Sequence, residues 1–140
     1  MSQFGLSFHH LGLAVKKPGP ALAFLRGLGY ATPEPVFDPE QGVHLILCTH
    51  PSAPAVEVIY PGVNPGPVDA LVTKHTKGIV YHCCYVAEDV EASLRALERA
   101  GLEPFCVSPQ KPAVLFGGAR VSFHQIVGMG LVEIIEGQPR

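Results

Sequence analysis

Residues 7–15 read SFHHLGLAV, and residues 79–87 read IVYHCCYVA. Each is a short apolar run with a histidine inside it, and each reads as a strand. After the first, Pro18 and Pro20 open a helix that carries Leu22, Phe24 and Leu25 and stops at Gly27 or Gly29. After the second, Asp89 is placed to cap a helix that carries Val90, Leu94 and Leu97 up to Gly101. Adding 72 to the first set of numbers gives the second: His10 meets His82, Leu22 meets Leu94, Leu25 meets Leu97 and Gly29 meets Gly101.

The same order continues on both sides. Apolar runs at 30–36, 42–49 and 54–61 read as strands after the first helix, and 103–107, 117–124 and 129–136 after the second. Each series closes on a similar strand, Val56-Glu57-Val58-Ile59 and Val132-Glu133-Ile134-Ile135. Residues 62–77 read as a linker with one helical turn, and 108–116, with two prolines, as a loop. Two copies of a β-α-β-β-β unit follow from this self-similarity. A unit of that size buries too little surface to stand alone. The expectation is therefore one α+β domain over 1–140, with module 1 at about 5–63, a linker at about 64–77 and module 2 at about 78–137. The tandem βαβββ modules would form a curved mixed sheet around a cleft.

Composition narrows the function classes. The 140 residues are 47% hydrophobic and 16% charged, enough apolar material for a core and too little charge for disorder. The net charge is -2 and no basic run occurs, which argues against a nucleic-acid or anionic-membrane surface. No apolar stretch approaches the roughly 18 residues of a membrane span. The first residues, MSQFGLSFHHLG, lack the order of a signal peptide. Cys48, Cys83, Cys84 and Cys106 form no C-x-x-C pair and sit among apolar residues, as expected of free thiols in a reducing cytoplasm.

The chemistry concentrates on two repeated pairs. Glu57 and Glu133 lie inside apolar strands, and an ionised carboxylate there is costly to bury unless paired or bound to a metal. One such Glu is unremarkable as a salt bridge or an edge-strand residue; two at equivalent places are harder to dismiss. His10 shares its strand face with the small residues Gly12 and Ala14, which leaves room in front of it. Its neighbour His9 is the rival, and the repeat register favours His10. Together His10, Glu57, His82 and Glu133 offer two imidazoles and two carboxylates, a set suited to a divalent Co, Ni, Zn, Mn or Fe ion. A catalytic ion also needs open positions for water or substrate. His44, on the strand with Ile46 and Cys48, is a further candidate for substrate contact. His124 reads as structural or partly exposed. His50, His75, Lys74 and Lys77 read as surface, although an anionic substrate tail would suit the lysines.

These residues resemble the vicinal oxygen chelate superfamily, which includes glyoxalase I, extradiol dioxygenases, antibiotic-resistance proteins and methylmalonyl-CoA epimerase. HHLGLAV is similar to the superfamily's first strand, which places its ligand His at His10. DPEQG at 38–42, PGPVDALVTKHTKGIVYHCCYV at 65–86 and GLVEIIE at 130–136 resemble the epimerase branch, with His82 and Glu133 at ligand positions. The chain departs from that branch in three places. Epimerases often carry Gln where this chain has Glu57, and Glu there gives the ligand set of bacterial glyoxalase I. Some carry an acid/base Glu on the third strand, where Leu45 falls. The segment HQIVG at 124–128 lacks their usual His-Pro-Lys.

The resemblance implies a metal-dependent isomerase or epimerase that removes a proton alpha to a carbonyl, of a methylmalonyl-CoA-like thioester. Glu133 would be the first choice of base and Glu57 the second. The alternatives are a glyoxalase I-type lyase acting on a glutathione hemithioacetal and a metal-free antibiotic-binding protein. A homodimer is the implied assembly.

Overall fold

The computed structural model describes residues 2–137, so the outermost residues of the expected 1–140 domain lie outside it. The first series is β1 (Leu6–Ala14), α1 (Gly19–Gly27), β2 (Val36–Asp38), β3 (Val43–Cys48) and β4 (Ala55–Pro61), followed by α2 (Pro67–Lys74). The second is β5 (Ile79–Ala87), α3 (Val90–Arg99), β6 (Phe105–Pro112), β7 (Arg120–Ile126) and β8 (Gly130–Glu136). The β-α-β-β-β order occurs twice, and the glyoxalase-like α+β class holds.

Hydrogen bonding orders the strands β2-β3-β4-β1-β5-β8-β7-β6. The chain forms two compact units. The first is His10–Tyr81; the second joins the residues up to His9 with those from His82 onward. The boundary thus falls inside β1 and β5, each of which gives residues to both units. In the first unit β4 runs parallel to β1 and antiparallel to β3. In the second, β8 runs parallel to β5 and antiparallel to β7.

The helix ends repeat as closely as the strands. After α1, the Gly29 N–H donates to Arg26 O and the Tyr30 N–H to Leu25 O, both at 3.0 Å. After α3, the Gly101 N–H donates to Glu98 O at 2.9 Å and the Leu102 N–H to Leu97 O at 3.0 Å. Gly29 and Gly101 both have positive φ, 96° and 78°, which a side chain resists. The starts differ. Asp89 Oδ1 accepts the Ala92 N–H at 3.0 Å, whereas α1 begins after Pro18 with no side-chain cap.

Each unit packs its helix on one sheet face. Leu25 of α1 meets Val15, Ile46, Cys48, Val56 and Val58. Val90 and Leu97 of α3 meet Ala87, Ile126, Val132 and Ile134. A further cluster in the second unit joins Cys84, Val86, Ala113, Val121 and Ile135.

Four expectations need correction. The run 30–36 is not a strand: Ala31 makes one bridge to Thr49, and β2 starts at Val36. Pro33 and Pro35 remove the backbone donors a ladder needs. Residues 62–77 contain an eight-residue helix rather than one turn. Pro67 starts α2, the Asp69 carboxylate accepts the Gly66 N–H, and Val68 and Val72 are buried one turn apart. Finally, the expected loop at 108–116 is strand as far as Pro112. β6 lies last in the strand order, where prolines are tolerated, and its pairing with β7 shifts register around Ser108. β7 begins at Arg120 rather than 117, because Gly117 and Gly118 turn with positive φ.

Candidate functional site

In the first unit, strand alternation sends Leu11, Leu13 and Val15 one way and His10, Gly12 and Ala14 the other. On β4, Val56 and Val58 join the α1 core, so Glu57 faces away from it. The parallel register sets Glu57 opposite Gly12, two residues beyond His10. Gly12 has no side chain to separate the two groups. His10 Nε2 lies 3.6 Å from Glu57 Oε1, and the residues are 0% and 4% exposed.

The second unit repeats this arrangement. Glu133 is opposite Cys84, again two residues beyond the histidine, His82. His82 Nε2 lies 3.2 Å from Glu133 Oε1, and both residues are 3% exposed. The buried Cys84 stands where Gly12 stands in the first unit. Phe123 pairs across strands with Glu133 and meets the His82 ring edge-on, with centroids 5.4 Å apart at 89°. Sequence reading passed over Phe123. Its signal was the shared spacing that matches Glu57 with Glu133 and Leu47 with Phe123.

Each pair brings together two kinds of metal-ligand donor. A charge-assisted N–H···O bond is about 2.7–2.9 Å long, shorter than either distance found. Two atoms bound to one ion at about 2.0–2.2 Å are about 3.0 Å apart at a right angle and about 3.4 Å at the tetrahedral angle. Imidazole and carboxylate are both ligands for borderline divalent ions, and a cation offsets the penalty of burying a carboxylate.

The remaining candidates fall elsewhere. His9 is half-buried and meets Phe116 edge-on at 5.3 Å; His10, not His9, faces Glu57. His44 is not on the Glu57 face. It stacks on Tyr60 at 4.8 Å and lies against Phe37 at 5.0 Å, in a row of rings crossing β2, β3 and β4. Leu45 does share the Glu57 side of β3, so no carboxylate occupies that position. Of the two readings of His124 the structural one holds: it is buried, with Nε2 2.9 Å from Ser122 Oγ, and burial lowers its pKa. His50 Nε2 lies 3.0 Å from Leu28 O, and His75 ends α2. None of the four cysteines forms a disulfide.

The fold and the paired residues define a protein of the glyoxalase type. A family model described as the glyoxalase/bleomycin resistance protein/dioxygenase superfamily matches residues 9–123, and the chain belongs to that superfamily. It is 28% identical over 130 residues to the ethylmalonyl-CoA/methylmalonyl-CoA epimerase of Cereibacter sphaeroides, an alignment covering 84% of this chain and 96% of the relative. Among solved structures, a hypothetical protein of Bacillus halodurans C-125 has a TM-score of 0.77 at 20% identity, covering 96% of both chains. Methylmalonyl-CoA epimerase from Mycobacterium tuberculosis has a TM-score of 0.73 at 20% identity, covering 96% of this chain and 89% of that one. Among the described residues, no helix is long and apolar enough to cross a membrane.

Proposed function

We propose that this protein is a metal-dependent epimerase or isomerase of an acyl-CoA thioester, with a methylmalonyl-CoA-like compound as substrate. Its metal ligands would be His10, Glu57, His82 and Glu133. The observation that carries the reading is the duplication itself: a buried His/Glu pair stands at the same register in both parallel strand pairs. The Cereibacter relative's name supplies the substrate class.

A proton alpha to a thioester is too weakly acidic for an unaided carboxylate. A bound divalent ion supplies positive charge for the oxygen on which negative charge develops. The chain supplies the proton transfer. Glu133 takes the alpha proton, and Glu57 returns one from the other side, inverting the carbon. Leu45 leaves no third carboxylate on the Glu57 face of β3 for either role. The apolar strand residues around both glutamates keep water from competing for the proton. The protein acts as a homodimer in the cytoplasm.

The test is metal content of the purified chain by mass spectrometry, with Glu133→Ala as control, followed by epimerisation assays. About one divalent ion per chain, lost in the variant together with activity, supports the reading. A chain that neither carries nor rebinds a divalent ion overturns it and leaves a metal-free binding role. A second reading is a glyoxalase I-type lyase, favoured by Glu57 where epimerases often have Gln. Turnover of a glutathione hemithioacetal, with no epimerisation of acyl-CoA, would select it.

A further inference from the structure

The side of β1 that faces away from Glu57 borders a groove of about 780 Å³ within the first unit. Leu11, Leu13, Val15, Phe24 and Val80 line it. Phe24 is 70% exposed and Val80 more than half exposed, large apolar surfaces for water to cover. The charged residues lining the groove are Lys16, Lys17 and Lys77; no carboxylate lines it. Among the described residues none of these three lysines has an ion-pair partner. Lys77 precedes Gly78, which also lines the groove. Gly78 has φ 98°, and a Cβ there would lie 3.2 Å from Val15 Cγ1, so the backbone passes close to Val15.

We infer that this groove is a second binding site, separate from the His/Glu pairs, and that it takes a fatty acid. The chain lies along the Leu11, Leu13 and Phe24 surface, and the carboxylate is held among the three ammonium groups. The volume falls in the range of about 300–1,000 Å³ typical of small-molecule sites. Three cations without internal partners disfavour a cationic amphiphile, and the apolar walls disfavour a small hydrophilic anion. Nothing in this inference depends on the proposed reaction, because Leu11 and Leu13 alternate along β1 with His10 and Gly12 and face the other way.

The test is isothermal titration with octanoate, decanoate and dodecanoate below their micelle concentrations, with dodecyltrimethylammonium as the matched cation. Expected is one dodecanoate per chain, with affinity rising about fourfold per added methylene, the ratio for burying one CH₂. Raising salt to about 0.5 M, or introducing Lys16→Glu, Lys17→Glu and Lys77→Glu together, should weaken binding about tenfold. The salt arm uses the unaltered chain and stands even if the triple variant fails to fold. The inference is overturned by any of three results: no binding up to about 1 mM, equal affinity for the cationic amphiphile, or indifference to both salt and charge reversal. It is also overturned if light scattering finds a dimer that Phe24→Ser dissociates, since the occupant is then a second copy of the chain.

Discussion

The two units share one buried His/Glu pair and differ at two buried positions behind it. Glu57 and Glu133 each stand opposite the residue two beyond a histidine on a parallel strand. On the helix side of the neighbouring antiparallel strand, the first unit has Ile46 and Cys48, paired with Val58 and Val56. At the matching register the second unit has Ser122 and His124, paired with Ile134 and Val132. All four are buried. The His/Glu pair itself has stayed a copy, with Cys84 and Phe123 replacing Gly12 and Leu47 beside it, while two positions behind it have changed from Ile and Cys to Ser and His. A core requires volume and satisfied polar groups, and a Ser–His hydrogen bond meets that demand as well as Ile beside Cys. The proposed metal would require donor atoms at set spacings, which leaves fewer alternatives.

The sharpest way to break the equivalence of the two glutamates is to replace each by Gln. With Glu133 as base, Glu133→Gln should lower both alpha-proton exchange and epimerisation by about 10²–10⁴-fold. Glu57→Gln should leave exchange within about tenfold while inversion falls further, because return of a proton from the second side is lost. Deuterium wash-in measured beside optical rotation separates the two. Equal losses in both readouts would make the glutamates interchangeable ligands without distinct proton roles.

Next comes the divergent face. Ile46→Ala should destabilise the chain by about 2–5 kcal/mol through the cavity left in a tight core. Ser122→Ala should cost about 1–3 kcal/mol by leaving the buried His124 nitrogen without its partner. Urea midpoints compare them directly, and a larger loss at Ser122 would mean that the polar pair carries more of its unit than packing does. At the helix starts, Asp89→Ala should cost about 1 kcal/mol, whereas Pro18→Ala, where no side chain caps α1, should change stability by no more than about 0.5 kcal/mol.

The smallest expected effect is in pH. Burial lowers the His124 pKa, so folding favours the neutral ring. The unfolded chain then binds more protons below its ordinary value near 6.5, and stability falls as pH drops through that point towards the lower folded value. Burial raises the Cys48 pKa, only partly opposed by Arg26, so folding favours the thiol. That contribution is intact below the ordinary thiol value and is lost as pH rises towards the folded one. The two equivalent positions should therefore weaken the protein at opposite ends of the pH range. His124→Gln should flatten the acid side and Cys48→Ala the alkaline side in thermal melts. A variant that flattens the wrong limb would contradict this assignment.

Much of this was written in the local pattern. The doubled βαβββ order, the glycine stops at Gly29 and Gly101, the Asp89 cap and the four repeated His and Glu positions follow from apolar periodicity, turn chemistry and self-comparison, all short-range in the chain. Tertiary structure decided the rest. Whether β6 continues past Ser108 depends on a partner strand that starts only at Arg120. Whether His44 faces the Glu57 side depends on which face of β3 packs α1. The pairing of Gly12 with Glu57 and of Cys84 with Glu133 depends on parallel register, set between strands about fifty residues apart in the chain. Local sequence supplies the donor atoms and their strand faces. Only long-range pairing brings a His and a Glu within 3.2–3.6 Å, because register is a property of two strands and never of one.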